Sequence, residues 1–454
     1  MSLKREDIQI VTERAVLVAV DLPRSNRDPE APFAELHALA ATAGATVVGE
    51  LIQRRQKPDG KWYIGKGKVG ELAELVRITD AALIIFDNDL SPSQIKAIEE
   101  ATSCKVIDRS ELILDIFANR ATTHAAKLQV EIAQLQYTYP RLRAMWDHLG
   151  QIVGGAPVGI GTRGPGEQQL EIDRRIVQRR KRQLQRELAG IEDRKTREVE
   201  ARNLDHYTIG LVGYTNAGKS TLFNRLTQGG AYADNRLFST LATRIEKWSL
   251  GGGNAAMLSD TVGFIQNLPH HLVASFKSTL EETRAARLLL IVLDLTHDQA
   301  REQLYTVEST LDDIGADTQP RMLVLNKIDL LDERDADEIR AAWQATHPEA
   351  IFISAARGIG IDALQERVLD HMLGGLRTVT IDLPMSDGKS ISFLEKRAIV
   401  LDREYDDVRA IFTARIGRLQ IDQLLAGGAD VRINGRPALE TVDELWNIAS
   451  QPRT

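Results

Sequence analysis

The stretch Gly213-Tyr214-Thr215-Asn216-Ala217-Gly218-Lys219-Ser220-Thr221 decides how the rest of the chain is read. It fits the spacing G-x-x-x-x-G-K-[ST]. Its flanks suit that spacing, because the apolar run Tyr207 to Val212 predicts a strand before it and Thr221 to Leu226 a helix after it. Glycines let backbone N–H groups approach phosphate oxygens, and the start of the following helix adds a partial positive charge. In such a loop Lys219 reaches the β- and γ-phosphates, and the Ser220 hydroxyl binds Mg2+. The segment predicts a strand–loop–helix unit that cradles a nucleoside triphosphate.

A phosphate loop does not choose the base. That choice is predicted from Asn326-Lys327-Ile328-Asp329, placed at the end of an expected strand Arg321 to Leu325. The Asp329 carboxylate can accept from both N1–H and N2–H of guanine, a pairing adenine cannot offer, and an unmatched buried carboxylate penalises the wrong base. Asn326 is expected to tie this loop to the phosphate loop, with the Lys327 stem over the base. Ser354-Ala355-Ala356, after the expected strand Ile351 to Ile353, matches the S-A-x pattern whose backbone N–H meets guanine O6.

Two further segments are expected to sense the γ-phosphate. Asp260-Thr261-Val262-Gly263 fits D-x-x-G, with Asp260 holding Mg2+ through water and the Gly263 N–H on the γ-phosphate. In Phe238-Ser239-Thr240-Leu241-Ala242, Thr240 is the candidate switch threonine that ligates Mg2+ only in the GTP state. Lys219, Thr240 and Gly263 are thus the candidate catalytic groups. Phe264 stands where many small GTPases place a water-orienting glutamine, and an aromatic ring cannot position a water. Slow intrinsic hydrolysis is expected, with the water positioned by a partner.

Composition bounds the rest. The chain has 454 residues, and ~150 per domain predicts about three units with cores of their own. With 43% hydrophobic and 27% charged residues it is globular rather than disordered. One cysteine, Cys104, excludes a disulfide framework or a cysteine zinc site, and reads as a small buried apolar residue. The start has no apolar signal-like run, and Leu288 to Leu295 is far shorter than the ~20 residues of a membrane span. A soluble, cytoplasmic protein is expected. The formal charge of −7 argues against a wholly nucleic-acid-binding surface, but Arg174 to Arg186 carries basic residues and no acid.

Apolar runs alternate with helical patterns over the first ~120 residues, at Ala15 to Val20, Thr46 to Gln53, Ala82 to Phe86 and Lys105 to Asp108. This predicts an α/β unit with a mainly parallel sheet, in which Ser91 caps a helix from Pro92. Next, Leu128, Leu135, Leu142 and Leu149, then Leu170, Val177, Leu184 and Ile191, recur every seven residues. Two such stripes predict a long antiparallel helical pair, with Pro140 kinking or interrupting the first helix. The Gly-rich loop 151–166 joins them. The expected fold is a multidomain α/β chain: an N-terminal α/β domain at 1–120, the helical pair at 121–204, a P-loop GTPase domain with a mainly parallel sheet at 205–376, and a small C-terminal α+β domain at 377–454.

These motifs together resemble one family. Gly159-Ile-Gly-Thr-Arg-Gly-Pro-Gly-Glu167, running on to Leu170-Glu-Ile-Asp-Arg-Arg175, is similar to the signature of the HflX GTPases, a ribosome-associated branch of the P-loop GTPases. Gly65 to Lys68, Leu90 to Gln94, Asp108 to Phe117, Gln129 to Ala133 and Phe264 to His270 add to the resemblance, which covers residues 5 to 375. Gln168, where threonine is usual, and the extra Ala156-Pro157-Val158 are small departures. The resemblance implies a monomeric, Mg2+-dependent cytoplasmic GTPase that binds the 50S ribosomal subunit and its 23S rRNA. It also implies a part in splitting or rescuing ribosomes under stress, or in subunit maturation. Arg163 in the Gly-rich loop, with Arg174, Arg175, Arg179 and Arg180, then become candidate RNA contacts. The alternative is an RNA-binding assembly or silencing factor in which nucleotide acts as a placement switch and turnover is incidental.

Overall fold

A computed structural model describes residues 13–23, 30–152, 165–227, 238, 243–261, 263–265, 277–332, 334 and 336–446, with only the backbone described at 140–152, 165–174 and 277–280. The first unit alternates strand and helix: β1 (Arg14–Asp21), α1 (Ala34–Ala43), β2 (Thr46–Arg54), α2 (Lys66–Thr79), β3 (Leu83–Phe86), α3 (Pro92–Thr102), β4 (Lys105–Asp108) and α4 (Arg109–Arg120). The strands form a parallel sheet in the order β2-β1-β3-β4. The inner strands β1 and β3 are continuous apolar runs, as a sheet covered on both faces requires. Ser91 caps α3 and exchanges hydrogen bonds with Gln94 in a reciprocal box.

Helices α5 (His124–Ile152) and α6 (Pro165–Asp205) form the helical pair. Cross-helix partners run in opposite directions, with His124 on Glu187 at 2.8 Å, Glu131 on Arg180 at 2.8 Å and Tyr139 on Gln178 at 3.1 Å, so the pair is antiparallel. Leu128, Ile132, Leu184 and Leu188 fill its seam. Of the two expectations for Pro140, interruption does not occur, since α5 runs through it. The ring removes one N–H from the ladder, a loss confined to one turn of a 29-residue helix. At ~1.5 Å per residue, the 41 residues of α6 reach about 60 Å.

The nucleotide unit holds β5 (Tyr207–Gly213), α7 (Lys219–Thr227), β6 (Arg244–Gly251), β7 (Asn254–Asp260), α8 (Lys277–Ala285), β8 (Leu288–Asp294), α9 (Ala300–Asp313), β9 (Arg321–Asn326), α10 (Ala336–Thr346), β10 (Ile351–Phe352) and α11 (Ile361–Leu373). Its sheet runs β10-β9-β8-β5-β7-β6, parallel throughout except for the edge strand β6. The last unit is β11 (Leu376–Pro384), α12 (Gly388–Arg397), β12 (Ile399–Tyr405), β13 (Arg409–Gly417), α13 (Arg418–Ala426), β14 (Arg432–Ile433), β15 (Arg436–Pro437) and α14 (Ala438–Trp446). Its antiparallel sheet, ordered β12-β13-β11-β14-β15, has the β-α-β-β-α-β succession of a split βαβ fold. The chain is therefore a multidomain α/β protein with a parallel-sheet P-loop domain at its centre. Among the described residues, no helix is long and apolar enough to cross a membrane.

Candidate functional site

The site assembles at the carboxyl ends of β5, β7 and β9, where open α/β sheets place their ligands. β5 delivers the phosphate loop, and α7 begins at Lys219. Lys219 is buried, and its amine donates to the carbonyls of Gly213 at 3.1 Å and Tyr214 at 2.7 Å. Burial pulls its pKa down to about 8, against the opposing pull of the Asp260 charge. The Thr215 hydroxyl is also buried and has no hydrogen-bond partner among the described residues. A cradle with a held cation and an unsatisfied hydroxyl suits an anion rich in acceptor oxygens.

The Mg2+ candidates fall together. The Ser220 hydroxyl donates to the Asp260 carboxylate at 2.7 Å, and Asp260 is almost wholly buried. A hydroxyl and a carboxylate beside a phosphate cradle are the hard oxygen donors Mg2+ prefers. Among the described residues no group of three His, Cys, Asp or Glu offers a metal cage of its own. Thr240, with Ser239, Leu241, Ala242 and Val262, lies outside the described residues, as does Arg163.

Asn326 ties the base-reading segment to the phosphate loop. Its Nδ2 donates to the Ala217 carbonyl at 2.9 Å, and its Oδ1 accepts from the Ala355 N–H at 2.9 Å. This crossing needs glycine at 218, where φ is +93° and a Cβ would stand 2.2 Å from Asn326 Nδ2. Lys327 is left-handed, and its ammonium pairs with Asp294 at 2.6 Å. Ile328 opens a short turn that sets Asp329, whose buried carboxylate faces the Arg357 guanidinium at 3.4 Å. Sequence reasoning did not identify Asp294 or Arg357. Asp294 ends a strand beside the base loop, and Arg357 follows Ala356 directly, so proximity to the motifs was the available signal.

Phe264 is buried and bonded through its backbone to the phosphate loop. The Thr215 N–H donates to its carbonyl at 2.7 Å, and its N–H donates to Gly213 at 3.0 Å. Gly263 is brought against the phosphate loop, where a Cβ would meet Lys219 Nζ and the Thr215 backbone at 2.9 Å. Thr261 is buried and donates to the Leu211 carbonyl at 2.7 Å, so its role is to fix β7 on β5.

The first unit reaches the phosphate loop, and the helical pair packs on the nucleotide unit at the opposite end of its sheet. The Tyr214 hydroxyl donates to Glu35 on α1, and Glu35 with Asp87 at 2.8 Å pairs Arg109. The Phe238 ring meets Phe117 of α4 edge-on, 4.5 Å between centroids. From the other side α6 reaches α8 through Arg202 on Glu282 at 2.9 Å and Asn203 on the Ala285 carbonyl at 2.8 Å. Of the candidate RNA-contacting arginines, Arg175 and Arg179 are exposed, while Arg180 bonds Glu131 at 2.8 and 3.2 Å. The side chain of Arg174 lies outside the described residues. Trp62 packs into the first unit's core with Lys61 4.5 Å over its ring, so it belongs to a folded turn.

Comparison with known proteins covers the same three stretches. A family model described as a GTP-binding GTPase N-terminal region matches residues 30–118, one described as a GTP-binding GTPase middle region matches 120–202, and one described as a 50S ribosome-binding GTPase matches 208–327. The chain is 41% identical over 389 residues to GTPase HflX of Escherichia coli strain K12, covering 85% of this chain and 89% of that protein. It is 40% identical over 403 residues to GTPase HflX of Caldanaerobacter subterraneus subsp. tengcongensis, covering 88% and 90%. Among solved structures, a GTP-binding protein from the archaeon Sulfolobus solfataricus in complex with GDP aligns with a TM-score of 0.42 and 24% identity, over 79% of this chain and 98% of that one.

Proposed function

The chain belongs to the HflX family of GTPases, and from that premise we propose that it is a cytoplasmic GTPase that binds the 50S ribosomal subunit and hydrolyses GTP under the subunit's stimulation. The reading includes the units 1–120, 121–204, 205–376 and 377–454, the long pair reaching 23S rRNA with its arginine-bearing tip. Splitting or rescue of stalled ribosomes, or maturation of the large subunit, is the setting that suits such a reach.

The observation that carries the proposal is Phe264. Its ring is buried and its backbone is committed to Gly213 and Thr215, so it cannot orient an attacking water. Lys219 supplies charge to the phosphates, the Gly263 N–H supports the γ-phosphate, and the phosphate-loop N–H groups hold the leaving oxygens. Ser220 and Asp260, joined by Thr240, would hold Mg2+, which neutralises charge across the β- and γ-phosphates when bound. Positioning the water is the task left to a partner.

Multiple-turnover GTP hydrolysis by the full chain, alone and with 50S, 30S or 70S particles at two salt concentrations, tests this. A rise of about a thousandfold or more with 50S or 70S is expected, the scale that partners give other GTPases. Tight 50S binding with unchanged turnover would favour the nucleotide-placed RNA-binding factor, for which a long-lived GTP state is an asset.

A further inference from the structure

Arg225 lies on α7, six residues beyond the phosphate-loop lysine, in no motif used above. An arginine on an exposed helix face is ordinarily solvated. Here the guanidinium turns onto the backbone of the Ser354 loop: Nε donates to the Ala355 carbonyl at 3.2 Å and Nη2 donates to the Ala356 carbonyl. Gly358, further along the same loop, has φ +78°, and a Cβ there would stand 3.7 Å from the guanidinium.

Two peptide planes are fixed by this grip. A trans peptide points its C=O and N–H in opposite directions, and no bond among the described residues is cis. Holding the Ala355 carbonyl therefore turns the Ala356 N–H away from Arg225. The neighbouring donors already have partners, since the Ala355 N–H bonds Asn326 Oδ1 and the Arg357 N–H bonds Ser354 Oγ at 3.1 Å. The Ala356 N–H bonds no described residue. We infer that Arg225 is a positioning residue for guanine recognition, which aims the Ala356 N–H at the 6-oxygen of the base. It rests on the reading of Asp329 and the Ser354 loop as the guanine pocket. Within that pocket it separates two tasks: Asp329 reads N1–H and N2–H, while Arg225 sets the donor that reads O6.

Full-length wild type, Arg225→Ala and Arg225→Lys would be titrated with GDP, IDP and 2-aminopurine riboside diphosphate. IDP keeps the 6-oxygen and N1–H and lacks the 2-amino group, whereas the 2-aminopurine nucleotide lacks the 6-oxygen and with it the N1–H, so its weaker binding is compared only between wild type and variant. For Arg225→Ala the expected result is a fall of about tenfold in both GDP and IDP affinity, the size of one charge-assisted hydrogen-bond set, with 2-aminopurine nucleotide affinity unchanged. Arg225→Lys, which can still donate to one carbonyl, should recover part of the loss. An equal fall for all three ligands would reduce Arg225 to a structural prop and overturn the inference, as would no fall for any. Wild-type protein that binds GDP no better than IDP would remove the Asp329 reading itself, a failure visible before any variant is made.

Discussion

At the scale of single residues, the carboxylate proposed to read the base is the most exposed to test. The Asp329 side chain is buried, and its carboxylate lies 3.4 Å from the Arg357 guanidinium. Asp329→Asn replaces an acceptor by an amide that also donates. The amide N–H opposes guanine N1–H or N2–H but matches the 2-oxo group of xanthine. GTP affinity should fall by about a hundredfold, the worth of two hydrogen bonds to a charged acceptor, and xanthosine triphosphate should bind better than GTP. Competition binding measures both, and undiminished GTP affinity would remove Asp329 from the base pocket. The residues proposed for this chemistry were legible because each motif is short, and its spacing is fixed by one turn of backbone around a ligand. Arg225 and Glu35 were not. Their partners lie 130 and 179 residues away, and no local pattern marks a side chain that bonds a distant carbonyl or hydroxyl.

At the scale of elements, legibility followed burial. Strands β1, β3 and β8 are apolar apart from charged residues at the ends of β1 and β8 and were read directly, whereas β6 buries only Trp248 and Leu250 and escaped notice. Helix α2 opens on Gly65-Lys-Gly-Lys, which reads as a loop, and α4 follows β4 with no loop because Asp108 is both the strand's end and the helix cap. The α6–α8 junction is the element-level feature with the clearest physical consequence. Lys195 of α6 is drawn into it, and burial lowers its pKa, with the Glu282 charge opposing and Arg202 adding to the fall. The unfolded chain keeps that proton up to the ordinary 10.5, while the folded chain gives it up earlier. Between those limits the unfolded state binds more protons, so stability rises with pH there. Below the lowered value the contribution is constant and unfavourable. Lys195→Met keeps the stem and removes the charge, and Arg202 still pairs Glu282. It should stabilise the protein by about 1 kcal/mol or less at neutral pH and flatten the alkaline rise. Urea denaturation at pH 7 and pH 10 tests this; lower stability at neutral pH would show that the Lys195–Glu282 attraction outweighs the desolvation.

For the whole molecule, the question is what the long pair does with its charge. The net charge of −7 means that any attraction to RNA must come from a local patch. On α6 the exposed Arg175 and Arg179 are candidates, whereas Arg180 is bonded twice to Glu131 across the pair and serves the pair's own register. A phosphate contact releases counterions, so each one adds about 0.7 to 0.9 to the slope of log affinity against log salt. If the pair docks on rRNA as proposed, Arg175→Ala with Arg179→Ala should weaken 50S binding and reduce that slope by about 1.5. Arg180→Ala should leave the slope as it was and instead lower the unfolding midpoint only slightly, since an exposed ion pair adds little to stability. Sedimentation of 50S complexes at four salt concentrations separates the two effects. A double variant with an unaltered slope would make the arginine face a solvated surface, and the reach of α6 would then have to serve the junction at Glu282 rather than an RNA contact.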